Sequence, residues 1–467
     1  MNGPISSTGM SSTGTSPTAG IASGWYAREA QPFEPRAPLT IDLDVDVCVI
    51  GGGLAGLTTA HEVARRGWSV ALLDGGRIAG AASGRNTGFV LPGFGEDLDA
   101  IVERIGLDHA QRLWALSEAG RDYVRRQVAG MPQITPQPGW LYISKTPQQR
   151  QFTQDVALLR AAGTEAEHWP VERVRAALPS KDYFDAIYYP AAFAINPVQY
   201  AQGLAHAAEA AGARLFEATP AVAIDLAGVR KRIDTPAARL RAAHVVLAGN
   251  VDIGGLMPRL AATLMPITTY VMVTAPIGSV LRETLRYHGT VSDGERADHH
   301  YRIVGGDRLM WCGRMTTIPA DPRSYARTLA RDITRTFPQL GPVEPEHVWC
   351  GTLGMPIHRM PQIGELMPGV WVASGFGGHG LNTTAMAGDL IARGIVEGDE
   401  TWRLFAPYEL VWAGGTFGRV AMRSLYLGRR PLESAAQAWA RHRERSRARK
   451  AAKRARSAVA DDGRSHG

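Results

Sequence analysis

The chain has 467 residues, of which 45% are hydrophobic and 20% charged, a composition that can bury two connected cores. No run of about 18 uninterrupted apolar residues occurs, which excludes a membrane-spanning helix, and the three cysteines lack CxxC spacing, which argues against a disulfide framework and against a metal site. The formal net charge is +7, but it is concentrated near the end of the sequence, so the body lacks the charge typical of a nucleic-acid-binding domain, and the sparse cysteines favour a cytoplasmic protein.

The first 22 residues are rich in Gly, Ser and Thr and have neither a basic start nor an apolar core. A secretory signal needs both of these features, so the segment is not predicted to be one. We expect residues 1–22 to form a disordered leader, because this composition offers little apolar surface to bury.

A dinucleotide-binding fingerprint begins at the end of the first predicted strand. The apolar residues 47–50 lead into Gly51, Gly52, Gly53, Leu54, Ala55 and Gly56, after which a helical pattern starts. In such a turn Gly51 permits the sharp bend, Gly53 permits a pyrophosphate to approach the backbone, and Gly56 permits close packing of the helix. A second apolar run ends at Asp74, the position of the carboxylate that binds a ribose hydroxyl. The glycines alone leave the choice between a nicotinamide and a flavin open.

Helix and strand patterns then alternate along the chain. Residues 107–127 and 197–211 have helical spacing. Strand-like runs cover 139–143, 213–216, 220–224, 243–250, 265–273, 300–303 and 309–313. The runs at 139–143, 265–273, 300–303 and 309–313 are β-branched or aromatic and bounded by Gly and Pro, so we expect them to form the mixed sheet of a second domain.

A second glycine-rich turn follows the strand-like residues 370–374. It contains Gly375, Gly377, Gly378, His379 and Gly380, and the helix after it is predicted from 381 to 396. The N–H groups in the first turn of that helix would favour negative charge beside them.

The positive charge of the chain lies in its last segment. Between Arg441 and Arg456 there are nine Lys or Arg and one acid, Glu444, for a charge of +8, which leaves −1 for all other residues. We interpret residues 435–467 as a solvated, partly helical basic tail, with contact to an anionic surface or to RNA as the alternative.

Two segments resemble those of a known flavoenzyme superfamily. Residues 81–89 are similar to the Ala-Ser-Gly-Arg-Asn-x-Gly segment of amine-oxidising flavoproteins of the D-amino-acid oxidase and glycine oxidase superfamily, and residues 370–380 resemble its second flavin loop. Residues 25–27 (Trp-Tyr-Ala) and 361–364 (Pro-Gln-Ile-Gly) resemble elements of the branch that contains gamma-glutamylputrescine oxidases. The likeness covers about residues 23–430.

The resemblance implies an α/β protein with a discontinuous Rossmann-like FAD-binding domain and a mixed-sheet α+β substrate domain. The expected ranges are 40–90, 196–250 and 369–397 for the FAD-binding domain, 91–195 and 251–368 for the substrate domain, and 398–434 for a C-terminal helical segment. Beyond the fingerprint residues, the resemblance implies FAD contacts from Ser83, Gly84, Arg85, Asn86, Val222, Gly375, Gly377, Gly378, His379, Gly380 and Leu381.

The sequence departs from the superfamily pattern in two places. Residues 87–89 read Thr-Gly-Phe where the branch usually has Gly-Gly-Gln, so an apolar Phe89 replaces a polar side chain near the flavin. The residue that bears covalent flavin in sarcosine oxidases falls at Gly351, one position from Cys350. We therefore expect FAD to be bound non-covalently.

The activity that the resemblance implies is oxidation of an amine or amino acid. The flavin would accept a hydride from the carbon that bears the amine, the imine would be hydrolysed, and oxygen or an electron-transfer acceptor would reoxidise the flavin. The candidate catalytic residues are Tyr270, Tyr301, Arg302 and His379. The two tyrosines either wall the pocket or pack in a core; Arg302 either clamps a substrate carboxylate or pairs at an interface; His379 lies near the flavin or closes the turn.

Two other functions compete with this one. A nicotinamide-linked reductase shares the first fingerprint, but the second glycine loop has no place in it. A flavoprotein that acts on a modified nucleobase is suggested by the basic tail, although a near-neutral body does not support it.

Overall fold

The computed structural model describes residues 24–30, 33–294, 299–424, 435–436, 438–440, 442–443 and 446. The predicted leader and most of the predicted basic tail, including most of its cationic run, lie outside the described residues. Within the described ranges, none of the helices is both long and apolar enough to cross a membrane.

The strands of the described residues form two sheets. In chain order they are β1 (Leu43–Ile50), β2 (Val70–Leu73), β3 (Phe89–Val90), β4 (Gln137–Ile143), β5 (Glu167–Trp169), β6 (Ala186–Ala194), β7 (Arg214–Phe216), β8 (Ala223–Asp225), β9 (Lys231–Asp234), β10 (Arg239–Leu247), β11 (Met265–Thr274), β12 (Thr290–Asp293), β13 (His299–Val304), β14 (Arg308–Thr316), β15 (Pro345–Met355), β16 (Gln362–Met367) and β17 (Val370–Ser374). The first sheet has the order β16-β17-β10-β1-β2-β7, with β8 and β9 attached beside β10. The second has the order β15-β11-β14-β13-β12-β4-β6-β3, with β5 beside β6.

Helices pack around both sheets. They are α1 (Trp25–Glu29), α2 (Leu54–Arg65), α3 (Ala82–Arg85), α4 (Leu98–Ile105), α5 (Leu107–Ala129), α6 (Gln149–Ala161), α7 (Val171–Ala177), α8 (Pro197–Ala210), α9 (Pro258–Ala261), α10 (Ser279–Thr284), α11 (Arg323–Thr336) and α12 (Gly380–Glu397), with 3-10 helices at Asn250–Gly255, Pro338–Leu340 and Thr401–Phe405. Residues 415–424 are also helical.

The first sheet has a parallel centre. Strands β17, β10, β1, β2 and β7 pair in parallel, and every residue of β2 is buried. A parallel strand covered on both faces needs a continuous apolar sequence, which β2 has. This open parallel sheet with a glycine turn after β1 is the dinucleotide-binding arrangement and confirms the predicted α/β class.

Three helices contact one another at backbone distance beside this sheet. A Cβ at Gly388 of α12 would lie 2.6 Å from Cβ of Thr58 in α2, and a Cβ at Gly120 of α5 would lie 2.2 Å from the carbonyl oxygen of Asn382 in α12. Only glycine fits at these two contacts. Helix α12 is therefore held between α2 and α5.

The second sheet is antiparallel through most of its length and has two different faces. Tyr270 and Tyr301 pack in one buried cluster together with Trp311, whereas Val271 packs with Cys312 in another. Successive residues of a strand point to opposite faces, so neighbours in sequence belong to different cores.

A buried ionic cluster joins the strands of this sheet to α11. His299 Nδ1 lies 3.0 Å from Asp293 Oδ1, and its Nε2 lies 3.5 Å from Asp332 Oδ2. Lys145 Nζ lies 2.8 Å from Asp293 Oδ1, and Arg314 pairs with Asp332. Each buried charge in this cluster has an opposite charge beside it, as burial requires.

The sheets differ from the predicted domain ranges at two boundaries. Strand β16 pairs with β17 in the first sheet, although residues 251–368 were expected in the substrate domain. Strand β3 pairs with β6 in the second sheet, although residues 40–90 were expected in the FAD-binding domain. A short apolar run does not reveal which sheet it joins, because its pairing partner can be distant in sequence. Of the predicted segment 398–434, residues 425–434 lie outside the described residues.

Candidate active site

A cavity of about 2820 Å³ is lined by both sheets. Its walls include the turn at 51–55, the residues 248–253 after β10, and side chains from β4, β11, β14 and β15. Sites for drug-sized ligands usually have volumes of about 300–1,000 Å³, so this cavity has room for a dinucleotide and a second small molecule.

The glycine turn forms one wall of the cavity because side chains are excluded from it. Gly51 has φ +117°, and a Cβ there would lie 2.6 Å from the carbonyl oxygen of Ala248. A Cβ at Gly56 would lie 1.9 Å from the carbonyl oxygen of Gly51. These glycines let the backbone of the turn, and the first N–H groups of α2, face the cavity, where an anion is favoured.

Asp74 follows β2, and its carboxylate accepts hydrogen bonds that fix the glycine turn. Oδ2 accepts a hydrogen bond from the N–H of Gly52 at 2.7 Å, and Oδ1 accepts one from Gly76 at 2.7 Å. Burial raises the pKa of Asp74, the two backbone N–H groups lower it, and the charge of Glu217 raises it, with a net upward shift. The side chain also lines the cavity, where it can accept from a sugar hydroxyl.

The segment 83–86 packs against the start of α2. Ser83 Oγ accepts a hydrogen bond from the N–H of Leu54 at 3.0 Å. Arg85 Nε donates to the carbonyl of Gly80 at 2.8 Å, and Asn86 Oδ1 accepts from the N–H of Gly88 at 2.8 Å. These bonds fix the segment beside the glycine turn with three side chains at the cavity wall.

The second glycine loop brings His379 to the cavity. His379 Nδ1 lies 3.2 Å from the carbonyl oxygen of Pro92, which can only accept, so Nδ1 carries the proton and Nε2 is an acceptor. Burial lowers the pKa of His379, the hydrogen bond to the Pro92 carbonyl raises it and His300 lowers it, with a net value of about 4. The imidazole is therefore neutral at physiological pH.

Similarity to known proteins agrees with this geometry. A family model described as "FAD dependent oxidoreductase" matches residues 46–393. The chain belongs to this family of FAD-dependent oxidoreductases. It is 29% identical to gamma-glutamylputrescine oxidoreductase of Escherichia coli over 81% of this chain and 89% of that protein, and 31% identical to a probable oxidoreductase, OrdL, of Rhizobium meliloti over 79% and 87%. The crystal structure of glycine oxidase from Bacillus cereus has the same fold, with a TM-score of 0.64 and 21% identity over 77% of this chain and 97% of that one.

Membership of the family makes the protein an enzyme with FAD as its cofactor, and the cavity fits that cofactor. Most of the residues predicted to contact it line the cavity, namely Gly51, Gly52, Gly53, Leu54, Ala55, Asp74, Ser83, Arg85, Asn86, Gly377, Gly378, His379, Gly380 and Leu381. Behind the wall, a Cβ at Gly84 would lie 2.4 Å from the carbonyl oxygen of Ala79, and Gly375 has φ +71°. Gly84 and Gly375, like Gly56, therefore shape the wall without lining it.

Val222 is placed differently from the other predicted FAD contacts. Its side chain is exposed, and its N–H donates to the carbonyl of Asp234 at 2.8 Å. The two preceding residues, Pro220 and Ala221, line the cavity instead. The segment predicted to contact the dinucleotide thus lies at the cavity, but Pro220 and Ala221 line it in place of Val222.

The two candidate tyrosines do not line the cavity. Tyr270 is buried, its OH lies 3.0 Å from Thr316 Oγ1, and its ring stacks on Tyr325. Tyr301 is buried, and its ring stacks on Trp311 at 4.5 Å. Both side chains point to the face of the sheet that is turned away from the cavity.

Arg302 is engaged by protein groups and is also absent from the cavity wall. Its Nη1 donates to Gln137 Oε1 at 3.0 Å, and its Nη2 donates to Tyr26 OH at 3.1 Å and to the carbonyl of Ile195 at 3.2 Å. In this arrangement the guanidinium joins α1, β4 and the segment before α8. It does not clamp a carboxylate in the cavity.

Sequence reasoning missed His300, which lines the cavity. Its Nδ1 lies 2.7 Å from Ser292 Oγ, and that hydroxyl also accepts from Trp140 Nε1 at 2.9 Å. The Ser292 hydroxyl therefore links the rings of Trp140 and His300 at the cavity wall. The alternation of the strand provides a signal, since His299 and His300 must face opposite sides.

An aromatic wall runs from His379 to a group of carboxylates. The ring centroid of Trp140 lies 6.5 Å from that of His379 and 4.6 Å from that of Tyr189, and the ring of Tyr142 lies 5.9 Å from that of Phe152. The carboxylates that line the same cavity include Glu96, Asp97, Asp99 and Asp155. Burial raises the pKa of Asp155, Gln151 lowers it, and the charge of Asp99 raises it. This part of the cavity combines aromatic faces with negative charge.

Proposed function

We propose that the protein oxidises the carbon–nitrogen bond of an amine or amino acid, with non-covalently held FAD as the oxidant. The observation that carries the proposal is the aromatic wall that joins the second glycine loop to acidic residues within one cavity. The carboxylates attract an ammonium group to the cavity, and the aromatic rings offer an apolar surface for the neutral amine. The relatives named gamma-glutamylputrescine oxidoreductase and glycine oxidase support this substrate class.

When bound, FAD accepts a hydride from the substrate carbon and later passes two electrons to oxygen or to an electron-transfer acceptor. The substrate nitrogen must lose a proton first, so that its lone pair can form the imine as the hydride leaves. Water then adds to the imine carbon and releases an amine and a carbonyl compound. The chain has to hold the substrate carbon in place and keep the nitrogen neutral.

The residues proposed for these tasks surround one part of the cavity. Trp140 and Tyr189 form an apolar surface that disfavours the ammonium form of the bound amine. His379, neutral and with Nε2 as an acceptor, can accept a hydrogen bond from the amine without adding a positive charge. Asp99 and Asp155 attract the cationic form during entry.

The competing functions do not fit as well. Family membership overturns the nicotinamide-linked reductase. Action on a modified nucleobase is disfavoured because Asp97, Asp99 and Asp155 would repel a nucleic-acid backbone in the part of the cavity proposed for the substrate, although arginines line other parts of its wall.

The experiment is anaerobic mixing of the purified enzyme with amines, diamines, amino acids and N-methylated amino acids, monitored by loss of flavin absorbance. At least one compound is expected to bleach the flavin, and Asp155→Asn should raise its half-saturating concentration several-fold, since the attraction of one charge is lost. Asp225→Asn, at an exposed position on β8, serves as the control. A flavin that no compound in the four classes reduces would contradict the proposal.

A further inference from the structure

A large part of the exposed apolar surface lies in three segments of the chain, at Ile318, at Ile357 and within residues 409–422. Of the fifteen large apolar side chains exposed in the described ranges, eight are in these segments, so they are not scattered over the surface. We call the following seven the apolar rim: Ile318, Ile357, Leu410, Val411, Trp412, Phe417 and Val420. Trp412 is 63% exposed and Phe417 80% exposed. A concentrated patch of this kind marks an interaction surface.

Hydrogen bonds bring the three segments together. The hydroxyl of Thr317, next to Ile318, donates to the carbonyl of Arg419 at 3.2 Å. His358, next to Ile357, donates from Nε2 to the carbonyl of Glu409 at 3.1 Å. Both bonds end on the segment 409–420, which carries the other five residues of the rim. The three segments therefore lie beside one another.

The same segment borders the cavity. Ala413, Gly415, Arg419 and Met422 line the cavity, and the N–H of Ala413 donates to the carbonyl of Ala262 at 2.8 Å. Phe417 and Val420 of the rim lie between these positions in the sequence, Trp412 directly precedes Ala413, and all three are exposed to solvent. One side of the segment thus meets the cavity, and the other presents the apolar rim.

Positive charge accompanies the apolar rim in the sequence. From Glu409 to Arg456 there are thirteen Lys or Arg and three acids, all glutamates. Exposed aromatic and aliphatic residues followed by a dense run of cations are the two components of binding at the surface of an anionic bilayer. Each component alone is too weak for stable attachment, whereas the two together are sufficient.

We propose that the apolar rim and the cationic sequence after it dock the enzyme on an anionic lipid surface, with the wall formed by residues 413–422 beside the lipid. The cations favour lipid over a second copy of this chain, because a symmetric dimer would bring like charges together. The apolar rim favours lipid over nucleic acid, because phosphate binding would leave Trp412 and Phe417 exposed. This inference stands independently of the substrate proposed above.

The test is co-sedimentation of the full-length enzyme with vesicles of phosphatidylcholine, with and without about 30% phosphatidylglycerol. The enzyme is expected to bind the anionic vesicles, and the double variant Trp412→Ser/Phe417→Ser to bind at least about tenfold more weakly, because it loses two interfacial aromatic anchors. A double variant Val229→Ser/Val280→Ser, which removes exposed valines elsewhere, should bind like the wild type. Ending the chain after Ser434 removes nine of the thirteen cations and should leave weaker binding that depends less on salt.

Retained flavin absorbance and an unchanged melting temperature show that the double variant is folded. The proposal is overturned if the wild type does not bind anionic vesicles, or if the folded double variant binds them as tightly. It is also overturned if sedimentation in solution shows a dimer that Trp412→Ser/Phe417→Ser dissociates, since a second copy would then cover the apolar rim. RNA binding without vesicle binding would assign the cations to nucleic acid and would likewise overturn it.

Discussion

The hydroxyl of Ser83 and the backbone N–H of Leu54 form a hydrogen bond of 3.0 Å across 29 positions of sequence. This bond joins the segment after β2 to the first turn of α2, where a cofactor phosphate is favoured. A Cβ at Gly53 would lie 2.9 Å from the same hydroxyl oxygen, so the serine also closes the space behind the turn.

Ser83→Ala is expected to lower FAD occupancy and to destabilise the protein by about 1 kcal/mol, the usual cost of losing a side-chain acceptor at a helix start. Flavin absorbance per protein and the melting temperature check this result. Ser69→Ala is the matched control. It removes a hydroxyl that accepts a hydrogen bond of 2.9 Å from the N–H of Asp46, at a site outside the cavity. Equal flavin content in the two variants would show that the Ser83 bond does not support the cofactor site.

Acid precipitation should release the flavin into the supernatant, because Gly351 offers no side chain for a covalent link. A yellow pellet would contradict non-covalent binding. Cys350, which lines the cavity, would then be tested by Cys350→Ser, which should restore release. Burial raises the pKa of the Cys350 thiol, so the reactive thiolate form is disfavoured at neutral pH.

Stability is expected to fall as the pH rises above about 6.5, the ordinary pKa of histidine. Burial lowers the pKa of His299. The carboxylates of Asp293 and Asp332 raise it by more than burial lowers it, so the net shift is upward. The protonated ring therefore stabilises the folded state below the unfolded pKa, and this contribution is lost as the pH passes through the folded pKa. Melting temperatures between about pH 6 and pH 9 measure the effect.

The control for this prediction is a histidine outside the cluster. His299→Gln should be less stable than the wild type at low pH and should show a flatter dependence on pH. His206→Gln, at an exposed position of α8, should keep the wild-type dependence. If the slope is the same in all three proteins, His299 is not its source.

Flavin reduction at saturating substrate is expected to rise with pH through one ionisation that belongs to the amine. His379, with a pKa of about 4, is already neutral throughout this range, so it cannot supply that ionisation. His379→Ala should change the rate and leave the ionisation in place, as measured by stopped-flow absorbance at a series of pH values. Loss of the pH dependence in this variant would identify His379 as a catalytic base and would contradict the assignment of the ionisation to the amine.

The glycine turn and the order of the elements could be read from the sequence because they rest on local patterns. Gly51 and Asp74 are set by the geometry of one turn, and the predicted helix at 197–211 is α8, one residue shorter. The catalytic candidates could not be placed in this way. Tyr270 and Tyr301 lie on the correct strands, but the face of each strand that meets the cavity depends on the register of the whole sheet.

His300 illustrates the same difficulty from the other side. Its role at the cavity depends on Ser292 in β12 and Trp140 in β4, which the fold brings together from 152 positions apart. Strands β16 and β3 each join the sheet of the other expected domain for a similar reason. Their pairing depends on strands that are distant in sequence or assigned to the other domain. Local sequence carries no record of these contacts.

The contact between Gly120 and the backbone of Asn382 limits how this enzyme can be redesigned. Helix α5 falls within the range assigned to the substrate domain, yet it supports α12, the helix that directly follows His379. An exchange of residues 91–195 for the matching segment of another family member would replace that support together with the pocket. Grafts intended to change substrate preference should therefore keep α5 native and replace only the strands and loops that line the cavity.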